Sequence, residues 1–405
     1  MGMRKGLRIY GALICCCLLL TGCGSVGVRE PANPENQSKE SQGAGNQDAQ
    51  NQSKESQGEE NQDTEDRNAE NPSDEPGGEE TEISEFEFTI CFAGDINLDE
   101  SSATTLFMDS QENGIYDCIS PELIAYMNDA DIMCLNNEFT YSTGGAPLEG
   151  KKYTFRADPS RVEILKLLGV DAVTLANNHV YDYGKEALLD TFTALEEAEI
   201  PYFGAGRTLE DAMKPLYIEA GGRTVALVGA SRAEKYKMTP QATETEPGIL
   251  RCYDTELYKA AIAEAKENAD FCIAFVHWGT EYSFDLEQVQ LDTGKEYLDA
   301  GADAVIGAHS HCLQGLEYYQ GKPICYSLGN YWFNKKTLDT MLVQLHFSGD
   351  DQGSSLWVEI IPAIQTGCRT VYAAEEEEQR RIFDFLEDIS VNVEITDEGV
   401  VKEIP

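Results

Sequence analysis

Basic residues are scarce in this chain: 30 Lys and Arg stand against 72 Asp and Glu, a net charge of −42. So acidic a protein lacks the Lys/Arg footprint that nucleic-acid phosphates require, which excludes that class of partner. Histidine is scarcer still, at five residues in 405. No cysteine pair has the C-x-x-C spacing of a zinc ribbon or a thiol redox motif. Of twelve cysteines, four lie in the first 23 residues. The others (Cys91, Cys118, Cys134, Cys252, Cys272, Cys312, Cys325 and Cys368) are scattered through apolar runs. They read as small buried hydrophobes rather than a disulfide framework.

The N-terminal apolar run, Ile9 to Leu20, is short for a bilayer-crossing helix. It follows the basic residues Arg4, Lys5 and Arg8 and ends in Leu20-Thr21-Gly22-Cys23. Residues 1–23 therefore read as an export signal, and the last four resemble the box at which bacterial lipoproteins are acylated on cysteine. The expectation is an extracytoplasmic protein, held to the cell membrane by lipid on Cys23; an ordinary secretory signal or a short membrane anchor is the alternative. Residues 24–85 have no aromatics and no core-forming pattern, and Asn36–Gly43 recurs unchanged as Asn51–Gly58. This stretch carries a net −13. It is expected to be a disordered, self-repelling acidic tether, because it cannot bury enough apolar surface to offset chain entropy. Residues 86–405, at about −32, are left as the folded domain.

Within that domain, strand-like runs alternate with helical ones, which indicates an α/β fold. Strands are expected at Phe86–Ala93, Asp131–Leu135, Val170–Leu175, Phe271–Val276 and Ala304–Ile306. Helices are expected at Ser120–Met127, Pro159–Leu168, Gly184–Ala198, Asp254–Asn268, Gln288–Ala300 and Glu375–Leu386. Hairpins turn on Gly221-Gly222 and Gln320-Gly321-Lys322, and late strands at Leu342–Phe347 and Leu356–Ile361 suggest mixed directions. Five polar clusters each follow the C-terminal end of an apolar strand: Gly94-Asp95, Asn137-Glu138, Asn177-Asn178-His179, His277-Trp278-Gly279 and Gly307-Ala308-His309-Ser310-His311. Ligand sites of open α/β sheets collect at such ends. Four of the five histidines fall in these clusters; the fifth, His346, lies within a strand and reads as structural.

Imidazole nitrogen, carboxylate oxygen and amide oxygen together suit borderline divalent ions such as Zn, Mn or Fe. A His-x-His leaving a strand can aim both rings at two adjacent ions, or keep one ring as a ligand and the other as a hydrogen-bond donor.

The motif order resembles the calcineurin-like metallophosphoesterases, and more closely the CapA family of poly-γ-glutamate capsule biosynthesis proteins. The wording that carries this is Phe92-Ala93-Gly94-Asp95, Asn136-Asn137-Glu138, Tyr153-Thr154-Phe155-Arg156, Ala176-Asn177-Asn178-His179, His277-Trp278-Gly279, Gly307-Ala308-His309-Ser310-His311 and Ser327-Leu328-Gly329-Asn330, over roughly Phe88 to Phe333. The resemblance implies a metallo-dependent phosphatase-like four-layer α/β/β/α sandwich with mixed sheets. It also implies one or two divalent ions. Asp95 and His311 would serve one ion, Asn178, His277 and His309 the other, and Glu138 would bridge, with His179 as general acid. Two positions depart from the phosphoesterase pattern: Asn97 stands where a metal-binding histidine is usual, and Glu138 replaces an aspartate. Asn97, Arg156 and Asn330 are further candidates for the site. The expected function is a membrane-anchored, metal-dependent hydrolase of a phosphoester or a γ-glutamyl amide. It would act in capsule biosynthesis or envelope polymer processing, with an anionic envelope polymer or capsule synthase components as partners. The alternatives are a polymer-binding or export component without catalysis, and a lipoprotein that binds a divalent ion or small anion.

Overall fold

A computed structural model describes residues 85–234 and 238–404. The signal, Cys23 and the tether up to residue 84 lie outside the described residues.

Phe86–Ile96 alternates its side chains between two cores, as a strand buried on both faces must. Phe88, Ile90 and Phe92 enter one apolar cluster, whereas Cys91 and Ala93 enter another. The first cluster also takes Ile273 and Phe275 from a second sheet, so it fills the space between sheets. The other cluster takes Leu123 and Met127 of the helix Pro121–Asp129 and Leu188, Phe192 and Leu195 of the helix Gly184–Glu197. A third cluster joins Cys272, Ala274 and Val276 to Tyr258, Ala261 and Ile262 of the helix Glu256–Asn268 and to Tyr297 and Leu298 of the helix Gln288–Asp299. Three cores between four layers make the α/β/β/α sandwich expected from the motifs.

Both sheets are mixed. In the larger, Phe86–Ile96 runs parallel to Ile132–Asn137, then Ala172–Thr174 and Tyr202–Phe203. On its other side it is antiparallel to Leu338–Asp350, which forms a long hairpin with Gly353–Thr366. The smaller sheet has a parallel centre, Arg223–Ser231, Phe271–His277, Ala304–Ala308 and Lys322–Leu328, with a hairpin strand at each edge. The long hairpin outruns the strands expected at Leu342–Phe347 and Leu356–Ile361. The helix expected over Pro159–Leu168 divides into a 3₁₀ turn, Pro159–Val162, and a short helix, Glu163–Leu167. Asp158 caps the turn by accepting the Ser160 N–H at 3.0 Å.

Sequence reading treats Ser327-Leu328-Gly329-Asn330 as a turn. In the fold it is the point where the chain leaves one sheet for the other. Lys322–Leu328 belongs to the smaller sheet, and Asn330–Trp332 pairs in parallel with the end of Phe86–Ile96. Gly329 turns the chain with φ +70°, a conformation open chiefly to glycine.

All eight described cysteines are free and buried. Burial pushes the Cys91 thiol up to about 12. Because the thiolate is the reactive form, these thiols are expected to resist alkylation in the native protein and to react together on unfolding. Mass spectrometry after a brief pulse of alkylating reagent reads the outcome; rapid native labelling of several of them would contradict this packing.

Candidate metal centre

The five motif strands lie in two sheets but deliver their polar residues to one place. Asp95 comes from the end of the first strand, Asn136, Asn137 and Glu138 from the second, and Asn178 and His179 from the loop after Ala172–Thr174. His277 ends its own strand, and His309 and His311 follow Ala304–Ala308. Two close approaches fix the main chain here, one at the crossing between the sheets and one between neighbouring strands of the smaller sheet. At Gly94 a Cβ would lie 1.9 Å from Gly329 O, and at Gly307 it would lie 2.0 Å from Tyr326 O. Asp95 N–H donates to Gly329 O at 3.0 Å, which ties the first ligand to the crossing segment. His309 and His311 adopt φ of +96° and +55°, strain that surrounding contacts must hold and that clusters at functional sites.

The ligand atoms form two triads, Asp95–Glu138–His311 and Glu138–His277–His309, each with its atoms within 4.8 Å of one another. Glu138 belongs to both. His277 Nε2 lies 2.7 Å from Asn178 Oδ1, 3.1 Å from His309 Nδ1 and 3.5 Å from Glu138 Oε1. His311 Nδ1 lies 2.8 Å from Asn330 Oδ1 and 3.2 Å from Asp95 Oδ2. The Asn330 contact is the shorter, and Asp95 Oδ2 is left without a hydrogen-bond donor. Glu138 Oε1 is also buried and unsatisfied. Two unpaired carboxylate oxygens in a fully buried cluster are costly unless something positive binds them. The donors present (carboxylate, amide oxygen and imidazole nitrogen) fit a divalent ion of the Zn, Mn or Fe type.

The electrostatics agree. Burial, followed by a neighbouring imidazole, holds His277 and His309 well below the ordinary range, so both rings are neutral and able to ligate. Burial and then Asp95 hold the Glu138 carboxyl well above its usual range. Uptake of an ion at a pH below the raised Glu138 range is therefore expected to expel about one proton, since a ligand must deprotonate to bind. Titration calorimetry in two buffers of different ionisation enthalpy reads this; equal heats in both would argue against it. Stability is linked to the same groups. The raised Glu138 costs the metal-free fold stability as pH climbs from about 4.3 towards its folded value, where an unfolded carboxylate ionises freely. The depressed histidines cost stability as pH falls below about 6.5, because only the unfolded rings then take protons. An ion offsets the first loss and competes with protons in the second. Chelation is thus expected to lower Tm more at pH 8 than at pH 5.5, which a melting series resolves.

His179 stands beside the triads rather than in them. Its Nδ1 is 2.6 Å from Asp182 Oδ2, and its Nε2 is 3.9 Å from Glu138 Oε1. A carboxylate that accepts the Nδ1 proton leaves Nε2 directed into the cluster, poised to hand over or receive a proton there. Burial lowers its proton affinity, and Asp182 partly restores it.

Three further candidates have separate placements. Asn330 joins the cluster through His311. The Asn97 side chain is spent on its own loop, accepting the Asp99 N–H at 2.8 Å. Arg156 donates to Gly144 O at 2.8 Å and stacks over Tyr183 at 4.2 Å, bracing the 144–156 segment. Trp278 is a core residue, its indole N–H bonded to Tyr326 O. His346 bridges Thr89 and Glu359 and stacks on Trp357, away from the cluster motifs.

Four contributors were not assigned to the site from the sequence. Asn136 Nδ2 lies 2.7 Å from Asp95 Oδ1, 3.4 Å from Glu138 Oε2 and 3.3 Å from His277 Nδ1. Asn177 donates to Asn136 Oδ1 and accepts the His179 and Val180 N–H groups. Asp182 and Lys151 complete the surroundings of His179. The doubled Asn-Asn pairs and the His-x-x-Asp spacing were the available signals; Lys151 had none.

Comparison with known proteins bears on the same stretch. The chain is 34% identical to the "PGA biosynthesis protein CapA" of Bacillus subtilis over 207 residues, covering 50% of this chain and 54% of that protein. It is 35% identical to the "Capsule biosynthesis protein CapA" of Bacillus anthracis, covering 54% and 56%. It is 30% identical to a "Probable polyglutamine synthesis accessory protein" of Mycobacterium tuberculosis, covering 49% and 55%. The chain thus spans about half the length of the curated relatives it matches. Among solved structures, a putative 5'-nucleotidase from Staphylococcus aureus is 17% identical with a TM-score of 0.41, covering 74% of this chain and 58% of that one. The family model described as "Bacterial capsule synthesis protein PGA_cap" matches residues 89–335, a span that contains every ligand residue just described, and the chain belongs to that family.

Proposed function

We propose that this protein is a metal-dependent hydrolase of the cell envelope, acting in the biosynthesis or trimming of a poly-γ-glutamate capsule or a related envelope polymer. The observation that carries it is Glu138, shared by two ligand triads, with the His179–Asp182 pair aimed at the shared carboxylate. Bound divalent ions would lower the pKa of a water and polarise the phosphoryl or carbonyl oxygen to be attacked. Asp95, His311, His277, His309, Asn178 and Glu138 would hold the ions. Asp182 fixes the tautomer of His179, and His179 Nε2 would deliver a proton to the leaving group. The names of the Bacillus relatives support capsule polymer as the setting. Lipid on Cys23 would hold the enzyme outside the cytoplasm.

The test is turnover by the purified full chain of phosphodiesters and of γ-linked glutamate oligomers, with metal content measured alongside. Hydrolysis lost in His179→Asn with metal retained supports the reading. No hydrolysis of either class by metal-loaded protein sinks it.

A second reading, a capsule component that binds or routes polymer without hydrolysing it, draws on the word "accessory" in the mycobacterial relatives' name. Restoration of a deletion strain's capsule by an Asp95→Ala/His309→Ala chain would favour it. Detergent partitioning of the full chain and of Cys23→Ala decides the anchor: the variant is expected to move to the aqueous phase.

A further inference from the structure

Lys151 is a buried cation at the edge of the centre. Its side chain is 4% exposed. Its ammonium donates to Glu234 Oε2 at 2.8 Å and to the main-chain carbonyl of Asn178, and it forms an ion pair with Asp182 Oδ1 at 2.6 Å. An ammonium is seldom buried unless it is paired; here two carboxylates and a main-chain carbonyl surround it.

Two of those groups bear directly on the centre. The other oxygen of Asp182 holds His179 Nδ1 at 2.6 Å. The residue whose carbonyl Lys151 grips carries the amide oxygen 2.7 Å from His277 Nε2. The same Asn178 carbonyl accepts from Thr239 Oγ1 at 2.8 Å, so its main chain is held from two sides. Lys151 lies in the connection between the short strands Thr140–Tyr141 and Arg156–Ala157. That segment is bound to the His179 loop by Leu148 N–H to Asp182 O at 2.9 Å and by Phe155 N–H to Asp182 Oδ2 at 2.7 Å. Arg251, itself buried, donates to the carbonyls of Ala233, Glu234 and Thr239 and so holds the main chain at Glu234 and at Thr239.

We propose that Lys151 is a positioning residue: it fixes Asn178 as a ligand for the ion held by Glu138, His277 and His309, and seats Asp182 behind His179. The inference rests on the metal reading above. It differs from a general role as loop glue because its effect is selective. Asp95 and His311, ligands of the other triad, have no contact with Lys151, Thr239 or Asn178 among the bonds described.

Cobalt(II) alone is the probe, read by its visible absorption in the full chain. Lys151→Met is expected to weaken the ion whose uptake His309→Ala abolishes by about 10–100-fold, the range for removing groups that orient metal ligands. The ion whose uptake Asp95→Asn abolishes is expected to keep its affinity. Combining Lys151→Met with Asn178→Ala is expected to be no worse than Asn178→Ala alone, because coupled residues are not additive. If Lys151→Met does not fold, Thr239→Val removes the other donor to the same carbonyl and is expected to show the same selectivity. Unchanged affinity, an equal fall for both ions, or additive losses in the double variant would each overturn the proposal. A wild-type chain that takes up no cobalt would instead overturn the metal reading on which it rests.

Discussion

Glu138→Gln is expected to abolish uptake of both ions while leaving the fold intact. Glu138 is the one residue common to the two triads. Its carboxyl is held well above its usual range by burial and by Asp95, which favours the neutral form in the metal-free protein. Glutamine has the same size and the same neutrality, so the metal-free melting temperature should change little. What is removed is the ionisable carboxylate that both triads share. Affinity for each ion is expected to fall by more than about 100-fold, beyond the 10–100-fold cost of disturbing supporting groups, and hydrolysis should fall with it. Asp95→Asn supplies the contrast: it should cost the ion shared with His311 and spare the one at His277 and His309. Metal analysis after gel filtration, with a melting curve for each protein, separates the cases. Stoichiometric metal in Glu138→Gln would remove the bridging role.

Gly94→Ala is expected to be the most damaging single methyl in the chain's centre. Its Cβ would lie 1.9 Å from Gly329 O, 3.0 Å from Gly329 C and 3.3 Å from Leu328 C, all main chain. No side chain can rotate away, so the strand carrying Asp95 or the segment crossing between sheets must shift. Overpacking against backbone belongs at the upper end of its usual cost, about 3 kcal/mol. For a domain of this size that corresponds to a Tm lower by roughly 4–5 °C. The displacement also falls between Asp95 and Asn330, so metal affinity should drop even at temperatures where the variant is folded. A variant with wild-type Tm and metal content would show that this contact is not tight. Gly222→Ala is the control: that glycine has positive φ but no heavy atom within 4 Å of its Cβ position. It should therefore cost only backbone strain, of order 1 kcal/mol.

Much of the centre was legible along the chain because it obeys a local rule. An apolar run long enough for a buried strand, then a residue able to bind a metal, recurs five times. That pattern locates Asp95, Glu138, Asn178, His277, His309 and His311 without knowledge of strand order. Two candidates outside that pattern have side chains engaged nearby. Asn97 has a suitable oxygen, yet that oxygen is used by an N–H two residues away. Arg156 has a suitable charge, yet its guanidinium is engaged by Gly144 O and the Tyr183 ring. Lys151 carried no signal at all, since a lysine in a polar stretch looks like any solvated one until its acceptors, 27 and 83 residues away, are brought to it.

By itself, then, the sequence determined which atoms were available for the centre and that they would sit at strand ends. Residue chemistry and the twofold or 3.6-fold period of apolar positions are properties of the chain within a few residues. Only the tertiary structure decided that Glu138 serves both triads, that Asn136 links Asp95 to His277 across separations of 41 and 141 residues, and that Gly329 carries the chain from one sheet to the other beside Asp95. Those outcomes depend on register between strands and on the packing of two sheets. Register follows from the pairing of whole faces and the close approach of particular glycines, and no interval counted along one segment contains that information.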